Sequence, residues 1–174
     1  MISGLPDKIL NHVISFLATI DVVRTIILSH RWKKLWVSVP SLYLQDDGFN
    51  HKKEDYNPND FARFVHHVLS QRGSTPSHEF SLKRTNNADD YPQIGEWIGA
   101  PVGNVVELNL HNQGSDFRDD PYELPISLFN LRSLVILRLG LEAKYVFIPP
   151  NSNCFPCLKL LDVEVFFSIF VFKK

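Results

Sequence analysis

Cys154 and Cys157 bracket a Phe-Pro pair, the spacing of a redox couple or of half a zinc site. A redox couple relies on a helix N-terminus after a strand to lower its thiolate pKa, but this pair precedes a predicted strand. Zinc needs two further ligands, and the nearest histidine, His111, stands 43 residues upstream. His66 and His67 are adjacent, so on a helix their side chains diverge by about 100° and do not meet on one ion. Asp116, Asp119 and Asp120 lack the regular oxygen spacing of a calcium loop and read as an exposed turn. Arg31, Lys33 and Lys34 lie beside Trp32 and Trp36, which would suit a helix-turn-helix reader of DNA. Two indoles one turn apart bury well but read no base edge, so DNA binding is the lesser alternative. No phosphate-cradling glycine loop, nucleophile elbow or paired-histidine motif occurs. The chain reads as a binding protein with no catalytic residue, no cofactor and no metal.

Composition narrows the class further. The net charge is −1 over 174 residues, too little for binding nucleic acid through bulk charge. Residues 1–45 nevertheless carry +3, so any preference for an acidic partner belongs to that segment. Two cysteines are too few for a secreted disulfide framework, and Pro6, Asp7 and Lys8 interrupt the place of an apolar leader. A reducing interior, nucleus or cytosol, is expected. The longest strongly apolar run, Val165–Phe172, falls far short of the roughly 20 residues that span a bilayer, so no membrane partner is expected.

Three zones position these residues. In the first, Pro6 suits the first turn of a helix on which Ile9, Leu10, Val13, Ile14 and Leu17 recur at helical spacing. Thr19 or Asp21 is placed to cap a second helix through Val22, Val23, Ile26 and Ile27. Ser29 is placed to cap a third, with Trp32, Leu35 and Trp36 on one face and Pro40 ending it. Residues 46–58 form a polar linker rich in Asp, Asn, Gly and Pro. A helix from Asn59 or Asp60 then carries Phe61, Phe64, Val65, Val68 and Leu69, and closes near Gly73.

The third zone repeats. Leu131-x-x-Leu134-x-x-Leu137-x-Leu139 recurs 24 residues later as Phe155, Leu158, Leu161 and Val163, and 29 residues earlier as Val102, Val105, Leu108 and Leu110. Phe80-x-Leu82 is a degenerate copy 28 residues earlier again. Such spacing is that of leucine-rich repeats, in which one unit cannot bury its apolar side alone and neighbours stack. Strands are expected near 78–82, 105–110, 134–139 and 158–165, with Tyr91–Ala100, Leu124-Pro125 and Ile148-Pro149 in the returning arcs.

The first zone resembles an F-box. The residues that carry this are Leu5-Pro6-Asp7-Lys8-Ile9-Leu10, Ile14-Ser15-Phe16-Leu17, Asp21-Val22-Val23-Arg24-Thr25, and Leu28-Ser29-His30-Arg31-Trp32-Lys33-Lys34-Leu35-Trp36. Later segments, including Val105–Leu110 and Leu124-Pro125-x-x-Leu128-Phe129, are similar to the plant F-box/leucine-rich-repeat proteins that often end in an FBD module. The resemblance implies an α+β to α/β chain, with a three-helix F-box over 1–45 and a partial repeat domain of parallel strands over 59–174. It also implies a substrate-recruiting subunit of an SCF-type ubiquitin ligase, joined through a Skp-type adaptor to a cullin. Adaptor contact is expected mainly from Leu5, Pro6, Ile9, Leu10, Ile14 and Leu17, with Val22, Leu28 and Trp32 either shared between contact and core or wholly core. Substrate contact is expected from Glu107, Asn109, Ile136, Arg138, Leu160 and Asp162. A decoy that occupies the adaptor without cargo is the alternative.

The sequence ends on Glu-Val-Phe-Phe-Ser-Ile-Phe-Val-Phe-Lys-Lys. Proteins of the resembled type continue through more repeats, so a chain shortened within its repeats is expected. Its apolar, proline-free tail predicts a self-associating edge.

Overall fold

The computed structural model describes residues 4–46, 59–73, 75–85, 96–98, 104–112, 122–141, 145–146 and 154–165. The expected linker beyond Asp46, the Asp116–Asp120 cluster and the tail 166–174 lie outside them, and of Tyr91–Ala100 only residues 96–98 are described, as helix.

Three short helices open the fold: α1 (Asp7–Ile14), α2 (Thr19–Arg24) and α3 (His30–Leu35), each of the last two running on into a 3-10 turn. Pro6 stands at the N-cap of α1, where its missing N–H costs nothing, and its carbonyl accepts from Ile9 N at 3.0 Å and Leu10 N at 3.1 Å. The capping expectations need correction. Ala18 is the N-cap of α2, and Ser29, though at the N-cap of α3, makes no side-chain cap bond. The Thr19 hydroxyl instead accepts the Tyr43 N–H at 2.8 Å, because a strand passes there that the helical pattern did not foretell.

That strand is β1 (Ser41–Gln45). It pairs in parallel with β2 (Glu79–Arg84), which continues through β3 (Glu107–Asn112), β5 (Ile136–Leu141) and β7 (Leu160–Val165). Two dipeptides, β4 (Tyr122–Glu123) and β6 (Tyr145–Val146), pair separately between the main strands. The register joins Phe80, Leu108, Leu137 and Leu161, so the offsets of 28, 29 and 24 legible in the sequence are the offsets of the ladder. The ladder also begins one residue ahead of each strand. Pro40 O accepts from His78 N, His78 O from Val106 N, Val106 O from Val135 N, and Val135 O from Lys159 N, at 2.7 to 2.9 Å.

Alternation along each strand sends Leu42, Leu44, Phe80, Leu82, Leu108, Leu110, Leu137 and Leu139 into one core. There they meet α4 (Asn59–Arg72), Trp97, Ile98 and the short helix Ile126–Phe129. Parallel sheets are normally covered on both faces. This one is covered by helices on one face and carries polar side chains on the other, as stacked repeats require.

The helical unit and the sheet share that core, and Arg72 at the end of α4 joins them. It is 2% exposed, and its guanidinium donates to Trp36 O and Pro76 O at 3.4 Å and to Ser77 Oγ at 3.1 Å. Burial pushes its pKa down to about 10. Asp46, also buried, closes the end of β1 onto β2: its carboxylate accepts from Thr85 N at 2.9 and 3.0 Å and from Thr85 Oγ1 at 2.7 Å.

Candidate functional site

α1 is apolar on two sides. Leu10 and Ile14, at i and i+4, are 0% and 1% exposed and belong to the chain's own core. Ile9 and Val13 lie a quarter turn away in solvent, and the turn after the helix adds Phe16, 76% exposed, and Leu17. A second exposed apolar pair, Ile27 and Leu28, stands on the 3-10 turn before α3. A surface helix normally shows one apolar stripe; one apolar on both sides needs cover on both.

The expected adaptor residues thus divide. Leu5, Pro6, Ile9, Leu17 and Leu28 are exposed, whereas Leu10, Ile14, Val22 and Trp32 are buried inside the chain. For Leu10 and Ile14 this corrects the expectation, since the α1 face that packs inward is set by the helices beside it. Val13, Phe16 and Ile27, outside the expected set, are exposed beside the exposed members of it. Val13 and Phe16 continue the Ile9 spacing by four and then three residues, which is the signal that locates them.

Arg31 fixes the approach to α1. It donates through Nε to Asp7 Oδ1 at 2.7 Å and through a terminal nitrogen to Leu5 O at 2.5 Å, so the Leu5-Pro6 turn is held to α3. Trp32, Leu35 and Trp36 are buried beneath it. Of the three cations considered for DNA contact, one is therefore turned toward α1, leaving only Lys33 and Lys34 on an exposed face.

The second surface is the open face of the sheet. Glu107, Asn109, Ile136, Arg138, Leu160 and Asp162 all lie on it, in two adjacent cross-strand rows. Arg138 pairs with Glu107 and donates to Asn109 Oδ1 at 3.1 Å. Tyr43 donates its hydroxyl to Glu79 Oε2 at 2.5 Å, and its pKa is raised by burial first and by Glu79 second. The Cys154–Cys157 turn does not assemble a ligand set: Cys154 is half-buried against the core, Cys157 is exposed, and no group of metal-ligating side chains forms among the described residues. In that turn Phe155 takes a φ of 54°, a region bulky residues rarely adopt, with its ring 5.6 Å from that of Phe129. No helix among the described residues is long and apolar enough to cross a membrane.

Residues 2–44 match the F-box domain family. Two F-box/LRR-repeat proteins of Arabidopsis thaliana are 35% and 34% identical to the chain over 94% of its length. An FBD-associated F-box protein of the same plant is 33% identical over the same share. The chain spans 42%, 50% and 37% of those three relatives. No solved structure matches. Helices, register and sequence agree: the chain carries an F-box domain and is related over most of its length to plant F-box/LRR-repeat proteins.

Proposed function

We propose that the chain is a non-catalytic, substrate-recruiting subunit of an SCF-type ubiquitin ligase. Its F-box binds a Skp-type adaptor and, through it, a cullin, while the open face of the sheet holds the protein to be modified. The observation that carries this reading is the outer side of α1. Ile9, Val13, Phe16 and Leu17 remain in solvent although the inner side already completes the core. Fully burying an exposed large apolar side chain is worth about 1.5–3 kcal/mol, and about half of that for one already half-covered, so several together can hold a partner. The Arg31 contacts hold the Leu5-Pro6 turn in place beside that side of α1, and the +3 charge of residues 1–45 suits an acidic partner. The names of the relatives favour the same role.

Co-expression of the full chain with a Skp-type adaptor is expected to yield a stoichiometric complex. The pair Ile9→Asp and Phe16→Asp, both exposed, is expected to abolish it while circular dichroism stays unchanged. An intact complex in that variant overturns the reading. Ubiquitin transfer to a co-purified protein separates recruitment from mere occupation of the adaptor.

A further inference from the structure

On the open face, one cross-strand row reads Gln45, Lys83, His111, Gly140 and Glu164, and the row beside it ends in Arg138 and Asp162. The acids on this face fall into two groups. Glu79 is satisfied by Tyr43, and Glu107 by Arg138. Arg138 is drawn toward β3, away from Asp162, by Glu107 and Asn109 together. Asp162 and Glu164, two residues apart on the same side of β7, are both exposed and make neither a hydrogen bond nor an ion pair among the described residues.

A cleft of about 330 Å³ opens in front of these two carboxylates, with Asn109, His111, Arg138 and Gly140 along its floor and wall. Its shape depends on Gly140. A Cβ there would lie 2.2 Å from the His111 ring, so the imidazole rests directly on the glycine backbone and forms the side of the cleft that faces Glu164. Lys83 stands on β2, three strand spacings or about 14 Å from Glu164. The row is therefore bipolar, cationic toward β2 and anionic at β7.

We infer that this cleft seats a lysine or arginine side chain from an extended segment of the recruited protein, with Asp162 and Glu164 as its anionic partners. Charge complementarity selects this occupant. Among the described residues the two carboxylates have no cation of their own, and the charge of Arg138 is already answered by Glu107. An ammonium or guanidinium group carries enough donors to bond both carboxylates at once. An extended segment crossing the strands would set a basic residue over β7 and an acidic or polar one near Lys83. The inference rests on the recruitment reading and names the chemistry its open face selects.

The test is selection of a random heptapeptide library displayed on phage, against the full chain alone and in complex with the adaptor. Lysine- or arginine-containing peptides are expected to be enriched. A synthetic peptide from that pool is expected to bind about tenfold more weakly to the Asp162→Asn, Glu164→Gln double variant, and more weakly at high salt. Glu164→Lys is expected to turn the selection toward acidic peptides, a result that lost folding cannot imitate. Selection of no peptide, of acidic or purely apolar peptides by the unaltered chain, or of basic peptides indifferent to both variants overturns the inference. Adaptor co-purification, measured on the same variants, keeps the two readings apart. An intact complex without basic selection refutes the cleft alone, and basic selection without a complex refutes the adaptor role alone.

Discussion

Ile9 and Leu10 are neighbours in the chain, but a rotation of about 100° around α1 sends one outward and the other into the core. Their substitutions should separate accordingly. Leu10→Ala is expected to cost about 2–5 kcal/mol in urea unfolding, the usual loss for a fully buried leucine. Ile9→Ala is expected to change stability by less than about 1 kcal/mol while weakening adaptor co-purification. Gly140 offers a second contrast. Because an added Cβ meets the end of a single side chain, Gly140→Ala is expected to cost about 1 kcal/mol, and nearly nothing in a His111→Ala background. A double-mutant cycle by denaturation measures that difference.

Elements are held together here by side chains that serve the backbone of another element. Thr19 receives β1, Asp46 fastens β1 to the residue after β2, and Arg72 ties α4 to the turn after α3 and to the approach to β2. Arg72 is held at a cost, since its lowered pKa means that the fold holds its proton less tightly than the unfolded chain does. The offset is the set of carbonyl and hydroxyl acceptors around it. Arg72→Ala would leave the Trp36 and Pro76 carbonyls without this donor, and is expected to destabilise by about 3 kcal/mol in thermal or urea unfolding.

On the scale of the whole molecule, the N-terminal helices and the parallel sheet form a continuous structure, because only two residues separate β1 from the 3-10 turn that follows α3. Leu42 and Leu44 share one core with Trp32 and Trp36 on one side and Phe80 on the other. Unfolding of the full chain is therefore expected to be a single transition. Tryptophan fluorescence, which reports Trp32, Trp36 and Trp97, should coincide with far-ultraviolet circular dichroism. Two separated midpoints would show that the F-box melts independently of the sheet. A continuous joint also fixes the distance and angle between the outer side of α1 and the open face, as the proposed recruitment role requires.

The sequence by itself determined what depends on spacing within one element. The α1 and α3 faces, the α4 helix, and the 24-, 28- and 29-residue periods of the ladder all follow from which side chains recur at 3.6 or 2 residues and how far apart the copies stand. Only the tertiary structure decided which of two apolar sides of α1 turns inward, since both are equally apolar until α3 packs against one of them. It likewise decided that residues 41–45 are a strand, because Ser-Leu-Tyr-Leu-Gln is too short to declare itself without β2 beside it. And it decided which acids on the open face already have partners: Glu107 and Asp162 flank the same arginine, and only folded geometry turns Arg138 toward the first and leaves the second to solvent.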